Sequence, residues 1–430
     1  MNGKEIKRIV ETEIALLLQE IGGLLIEGPK LCGKTFLGQK YSQSQFYVEN
    51  YGPNLTLALQ ENWQTNIIFS GLQPRLIDEW QLVPKIWDLV RFRIDQAKGQ
   101  RGLYILTGSN TAAFHLTKHS GAGRMAWIAM HTLTFSEIIS DDEQPKIALK
   151  DLFMQKEVKM VKSQLEINWV IKQLLKGGWP AALSFDLDST TIIENYIKSL
   201  YKIEQTYFDN LHLDHKLVDP ILKALAFLNG KQINKTTIEK FVSLPLHRER
   251  LLKYLAYFKA MFLFFELNIW DFGFGLTARK KLRVSPKIYL CDPSIGANLL
   301  KVKSVDKFWK HKEVLGFYFE NQVIKDLMVY AQALNGDLSF YRDDKGFEID
   351  AIMELDLETW AAFEIKLMGT QKQVDLAAKN LLKFTQKVTS KTNGVLPKFL
   401  MVIVGASEIN YTYYRPDGVY VVPHTCLKPF

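Results

Sequence analysis

The chain has 430 residues, of which 47% are hydrophobic, 12% aromatic and 23% charged. Two to four domains are expected at about 100–200 residues each, and disordered and fibrous classes are excluded. Lys and Arg number 54 against 46 acidic residues, a net charge of +8, which points toward a polyanionic partner without proving one.

In chain order, residues 5–20 read as a helix, with Ile6, Ile9, Val10, Ile14, Leu17 and Leu18 near helical spacing. The apolar run Leu24-Leu25-Ile26 reads as a buried strand leading directly into a glycine-rich loop. Further strands are expected at 66–69, 75–77 and 103–106, with a helix over 87–96. This alternation implies a parallel α/β sheet, and the first domain is expected at 1–150. Residues 151–215 read as a helical connector, broken by Gly177-Gly178-Trp179-Pro180. Over 216–305, three helix-like runs, the third at 248–264, precede an extended segment at 281–291, an order compatible with a winged helix-turn-helix. In 306–430 a helix at 315–334 precedes strands at 338–342, 347–355 and 360–367, a helix at 372–385 and a strand at 398–404. The expected fold class is α/β multidomain.

Cys32, Cys291 and Cys426 lie far apart, which argues against a disulfide framework or zinc site and fits a reducing cytosol. The apolar stretch at 255–270 is interrupted by Lys259 and Glu266 and is too short and charged to span a bilayer. The opening MNGKEIKRIV has no apolar signal region. A cytoplasmic protein with no membrane partner is therefore expected.

Gly28-Pro29-Lys30-Leu31-Cys32-Gly33-Lys34-Thr35 fits G-x-x-x-x-G-K-[ST] between a strand and a helix. Glycines there let backbone N–H groups wrap phosphates at the positive end of the helix. Lys34 would reach the β/γ-phosphates and the Thr35 hydroxyl would coordinate Mg²⁺. Leu76-Ile77-Asp78-Glu79 has the arrangement of a Walker B segment: Asp78 would hold Mg²⁺ and Glu79 would orient the attacking water. Ser109 or Asn110, after a third apolar strand, would contact the γ-phosphate or that water. ATP and Mg²⁺ are the expected ligands.

The blocks GPKLCGKT, PRLIDEWQLVPKIWDLVR, ILTGSN, HSGAGRM, LTFSE and GGWP, followed by FEN, EID and EIK, resemble bacterial and archaeal AAA-type ATPases that carry a DUF4143 domain. The resemblance covers nearly the whole chain and implies a P-loop NTPase domain. It also implies that Arg124 corresponds to a post-sensor arginine, neutralising γ-phosphate charge in cis or across a subunit boundary. A homo-oligomer is thus left open.

Glu320, Asp350, Glu364 and Lys366 form a second constellation. Strand residues two apart share a face, so Glu364 and Lys366 project together, and Asp350 can meet them from a paired strand. Two such carboxylates suit Mg²⁺ or Mn²⁺, and a nearby lysine can stabilise charge developing on phosphorus. The order resembles the PD-(D/E)xK nucleases, with Glu320 as an accessory acid. A solvated charged face, or a retained fold that no longer cuts, remains the alternative. Asn234-Lys235-Thr236-Thr237 and His247-Arg248-Glu249-Arg250 open two helices of the winged-helix candidate, suited to phosphate contacts or to a purely connecting role.

The charge excess has an address. Residues 279–312 hold Arg279, Lys280, Lys281, Arg283, Lys287, Lys301, Lys303, Lys307, Lys310 and Lys312 against Asp292 and Asp306, a stripe a nucleic-acid backbone would fit. The leading expectation is an ATPase whose nucleotide state controls a DNA-facing winged helix and a metal-dependent nuclease-like domain. Its rival is a nucleotide-dependent interaction switch with an inactive nuclease fold.

Overall fold

The computed structural model describes residues 4–51, 65–111, 117, 120–201, 215–233, 235–239, 241–242, 247–270, 285–389, 392, 394–407 and 410–430. The N-terminal unit opens with helix α1 (Glu11–Glu20), strand β1 (Gly23–Glu27) and helix α2 (Lys34–Tyr41). Strands β2 (Ser44–Tyr47) and β3 (Arg75–Asp78), helix α3 (Lys85–Gln96), and strands β4 (Tyr104–Gly108) and β5 (Met125–Ala129) follow. The five strands form a parallel sheet in the order β2-β3-β4-β1-β5. Leu24, Ile26, Leu76 and Ile105 pack on one face with Ile14 and Leu37; Leu25, Ile77 and Leu106 pack on the other with Trp87 and Val90. Covering both faces is what turns these strands into continuous apolar runs.

Two expectations fail here. Residues 66–69 belong to a helical turn, Thr65–Phe69, because so short an apolar run carries no period to separate helix from strand. Residues 5–10 are not helical; helix α1 starts at Glu11, and the preceding segment runs as an irregular strap held by Arg8.

Helix α4 (Phe135–Ile138) starts at a capping box in which Thr134 and Glu137 satisfy each other's backbone N–H groups. Strand β6 (Ile147–Ala148) pairs with the last strand of the chain. Next come helices α5 (Ile167–Lys176), α6 (Pro180–Ser184), α7 (Thr190–Tyr201) and α8 (His215–Phe227). They are followed by β7 (Lys231–Gln232), α9 (Lys235–Glu239), α10 (Arg248–Ala260), β8 (Phe264–Ile269), β9 (Lys287–Leu290) and α11 (Pro293–Leu299). Trp179, Tyr196, Ile221, Tyr254 and Phe258 centre the core of this region. The expected helix at 248–264 ends at Ala260, and Phe264 already begins β8, paired antiparallel with β9.

The C-terminal unit is built from α12 (Lys312–Ala333), β10 (Asp337–Arg342), β11 (Glu348–Asp356), β12 (Thr359–Gly369), α13 (Gln371–Val388) and β13 (Phe399–Ser407). Strands β14 (Tyr413–Tyr414), β15 (Val419–Pro423) and β16 (Leu427–Lys428) finish the chain. The first three strands form an antiparallel meander, whereas β13 runs parallel to β12. Helix α12 covers one sheet face through Phe319, Val323 and Leu327, and α13 covers the other through Val374, Ala378 and Leu381. Because β8 pairs parallel with β10, the middle strands and the C-terminal strands form one nine-stranded sheet, β14-β15-β13-β12-β11-β10-β8-β9-β7. No described helix is long and apolar enough to cross a membrane.

Candidate functional site

The parallel strands bring the ends of β1, β3 and β4 to one edge, so Gly28, Asp78, Glu79 and Ser109 meet there. The loop between β1 and α2 needs its glycines. A Cβ on Gly28, at φ +154°, would lie 2.1 Å from the Met130 carbonyl oxygen, and Gly33 stands at φ +100° as the helix N-cap. Lys34 is buried and donates to the carbonyls of Gly28 (3.0 Å) and Pro29 (2.9 Å), so its ammonium lies under the loop. The Thr35 hydroxyl donates to Asp78 Oδ1 at 2.8 Å, and Thr107 donates to the same oxygen. Ser109 Oγ donates to Glu79 Oε2 at 3.0 Å, while the Gln81 amide bonds that oxygen too. Glu79 itself takes the left-handed conformation, φ 56°, which turns it out of the strand.

Cys32 is fully buried, its Sγ against the Met130 carbonyl, and serves as packing. Lys30 is half-buried and Leu31 exposed, both lining the cavity over the loop. Burial pushes the carboxyl of Glu27, directly before the loop, up to about 7.

The cavity holds about 750 Å³, within the range of small-molecule sites. Besides Lys34, Thr35 and Glu79, its walls include Ile6 and Arg8 from the N-terminal strap and Pro180, Ala181 and Phe185 from α6 and its end. These residues escaped sequence reasoning. In the sequence the GGWP block reads as a helix break, but nothing local places it against the phosphate loop. Arg8 ties the strap down: it donates to the Cys32 carbonyl (2.9 Å), the His131 carbonyl (2.8 Å) and Glu137 Oε1 (3.0 Å). The Lys4 amide also donates to the Ser184 carbonyl at 3.0 Å, linking strap and α6. Thr35, Asp78 and the adjoining Glu79 supply hard oxygen donors at the mouth of the loop, a set that fits Mg²⁺.

Arg124 is not with them. It precedes β5, and β5 pairs parallel with β1 so that Met125 faces Gly23, at the strand start. Five residue steps, about 16 Å, separate that end of β1 from the loop. The Arg124 guanidinium is paired with Asp95 at 2.8 Å and half exposed. Action in cis is therefore corrected: the strand direction carries this arginine to the far end of the sheet.

The second constellation does assemble, in altered form. Asp350 on β11 accepts the Ile365 amide at 2.8 Å, and Lys366 Nζ lies 2.6 Å from Glu364 Oε2 and 3.4 Å from Asp350 Oδ2. Glu320, on α12, accepts the Tyr289 hydroxyl at 2.7 Å. Lys287 of β9 enters the same cluster, 2.6 Å from Glu348 Oε1 and 3.4 Å from Glu320 Oε1. Burial and then Asp350 push the Glu364 carboxyl up to about 8, and burial raises Glu320 although Lys287 opposes it. Burial also works against ionised Asp350, yet Lys366 and Lys287 hold it below the usual carboxylate range. Among the described residues no group of three or more His, Cys, Asp or Glu side chains is placed to hold a metal ion. The acids of this cluster face ammonium groups instead.

The basic stripe is corrected as well. Arg279, Lys280, Lys281 and Arg283 lie outside the described residues, and so does Asn234. Lys287 is buried in the acidic cluster, and Lys303 pairs with Glu194 at 3.3 Å. Lys301, Lys303, Lys307 and Lys310 remain on the surface, as do His247 and Arg248 at the start of α10. A run of like charges in sequence was split because β9 is an interior strand, while the lysines of 301–310 stand at the exposed positions of a segment anchored by Val302 and Phe308.

Residues 22–139 match the AAA domain, residues 167–306 a domain of unknown function, DUF8612, and residues 315–427 a domain of unknown function, DUF4143. No curated protein matches the chain significantly. Among solved structures, the Walker-type ATPase of Pyrococcus abyssi is similar at 14% identity and a TM-score of 0.39, over 67% of this chain and 94% of that one. A RuvB variant of Thermotoga maritima is similar at 15% identity and a TM-score of 0.29, over 60% of this chain and 89% of that one. At these values neither likeness carries an argument about function. The AAA domain at 22–139 and the DUF4143 domain at 315–427 place the chain among AAA-type ATP-binding proteins with a C-terminal DUF4143 domain.

Proposed function

We propose that the chain is a Mg²⁺-dependent ATPase. The observation that carries the reading is the Thr35–Asp78 contact beside Lys34 and Glu79, at the mouth of a glycine-dependent loop. Gly28, Gly33 and the intervening amides would cradle the phosphates, and Lys34 would exchange the carbonyls of Gly28 and Pro29 for phosphate oxygens. Thr35 and Asp78 would hold Mg²⁺, whose charge neutralises the β- and γ-oxygens when bound. Glu79, fixed by Ser109 and Gln81, would orient the attacking water. Arg124 is assigned to a neighbouring copy of the chain, if to any nucleotide, since its own is beyond reach. Phosphate release with Mg²⁺-ATP should fall at least tenfold in Lys34→Ala; equal release from both proteins would sink the assignment.

The nucleotide state is proposed to act on a nucleic-acid-facing middle and C-terminal region. The order α8-β7-α9-α10-β8-β9, with β7-β9-β8 as its sheet, supports a winged helix over 216–305. The order α12-β10-β11-β12-α13-β13, with Asp350, Glu364 and Lys366 together on adjacent strands, supports a PD-(D/E)xK-like domain over 306–430. DNA would then be the partner, met by α10 and Lys301–Lys310. A second reading, a partner-binding domain that does not cut, is favoured by Lys287, whose buried ammonium sits on Glu320 and on the neighbouring Glu348. A panel of single- and double-stranded DNA with Mg²⁺ or Mn²⁺ separates the two. Cutting lost in Asp350→Ala supports a nuclease, and no cutting supports the second reading.

A further inference from the structure

The carboxylates of the C-terminal cluster come from one helix and two strands of a single unit: Glu320 from α12, Glu348 and Asp350 from β11, and Glu364 from β12. Buried carboxylates at close quarters require a counter-charge, because desolvation penalises each ion and mutual repulsion adds to it. Where such a cluster works on phosphodiesters, the counter-charge is a divalent metal. Here the chain supplies it from a different region. Lys287 stands on β9, an interior strand of the sheet that reaches the cluster through β8 and β10. Its side chain is 5% exposed, and its Nζ lies 2.6 Å from Glu348 and 3.4 Å from Glu320. Tyr289, two residues along the same strand and so on the same face, donates its hydroxyl to Glu320 at 2.7 Å. The Lys287 ammonium also lies over the Phe340 ring, 5.4 Å from its centroid, which closes one side of its environment. Lys366 neutralises the other half of the cluster, Asp350 and Glu364, while Arg342 contacts Glu348 at the rim. Four carboxylates thus face three basic side chains, and each carboxylate has a cation within 3.4 Å.

We infer that Lys287 is a resident cation of this cluster: its ammonium occupies Glu320 and Glu348 while Lys366 occupies Asp350 and Glu364, and the cluster as folded does not take a divalent metal. The residues present do not fit a metal while Lys287 is among them. A divalent ion bridging Glu320 and Asp350 would have to break the contact between Glu320 and a lysine nearly stripped of water, and would then lie beside that ammonium, which Glu348 holds in place. The inference rests on the nuclease-like reading of the C-terminal unit only for its interest, since its test reads metal binding rather than cutting. It is independent of ATP hydrolysis at the P-loop.

Manganese(II) binding to the nucleotide-free full-length protein, followed by the electron paramagnetic resonance of free Mn²⁺, tests it. Wild type and Asp350→Asn should bind Mn²⁺ alike. Lys287→Met should gain a site at least tenfold tighter than any in wild type, and adding Asp350→Asn should remove it. A tenfold loss of Mn²⁺ affinity on Asp350→Asn in the wild-type background would overturn the inference, because metal and lysine would then coexist. So would a Lys287→Met protein with wild-type circular dichroism and phosphate release but no new site. Should Lys287→Met fail to fold, Lys287→Gln, which keeps a donor for Glu348, is read the same way, and the wild-type comparison stands without either variant.

Discussion

Single residues decide the chemistry at the sheet edge. Glu79 is held by Ser109 and Gln81 but touches no cation in the structure described, so its removal should spare binding and damage turnover. Glu79→Gln is expected to retain nucleotide affinity within about threefold and to lose about 10²–10⁴-fold in kcat, measured by parallel ligand titration and phosphate release. Glu27 offers a prediction of a different kind. Its carboxyl is raised to about 7 by burial, so the folded chain holds a proton that the unfolded chain releases near pH 4.5. Stability should therefore fall as pH rises from about 4.5 to 7, by at most about 1.4 kcal/mol per pH unit from this group. Glu27→Gln should flatten that slope in urea melts run across the range; an unchanged slope would remove Glu27 as its source. Much at this scale was legible in the sequence. The P-loop and the Asp78-Glu79 pair could be read because their chemistry is local, a few residues around one strand end. Arg124 could not, since its distance from the loop depends on strand direction in the assembled sheet. Lys287 was legible only as a charge, and its burial follows from β9 lying between β8 and β7 inside the assembled sheet.

Among the elements, the N-terminal strap and α6 are the parts that sequence periodicity misread or left silent. The spacing of Ile6, Ile9 and Val10 fits a helix, but Arg8 gains more from three tertiary partners than a helical turn would offer, and the segment stays irregular along the cavity wall. Arg8 and Glu137 form a buried pair, 6% and 2% exposed. Arg8→Ala leaves Glu137 without its cation and should cost about 3–5 kcal/mol, seen as a lower urea midpoint. Because the same arginine holds the Cys32 carbonyl, nucleotide affinity should fall with it. A variant with reduced stability but unchanged affinity would confine Arg8 to a structural role. By contrast, β10 to β13 and both long helices of the C-terminal unit are readable in order, because the apolar runs buried on β11 and β12 and the amphipathic spacing of α13 are strong signals, whereas the short β14 and β16 and the strand β15 are not.

Across the whole molecule, segment 130–137 joins the units. Its Met130 carbonyl abuts Gly28, its Leu133 amide donates to Gly178 at 2.8 Å, and its Leu133 carbonyl and Phe135 amide bond Lys325 (2.7 Å) and Asp326 (2.9 Å) of α12. Phosphate loop, GGWP turn and C-terminal helix thus meet within eight residues. Surface charge belongs to the same scale. If DNA is the partner, neutralising Lys301, Lys303, Lys307 and Lys310 should lower the slope of log affinity against log salt by about two to four, and an unchanged slope would leave these residues as solvated surface. The central claim, that one pocket is shared by the phosphate loop, the strap and α6, is tested most directly by hydrogen–deuterium exchange with and without Mg²⁺-ATP. Protection is expected together at 28–35, 4–9 and 180–185; protection at 28–35 with none at 180–185 would contradict it.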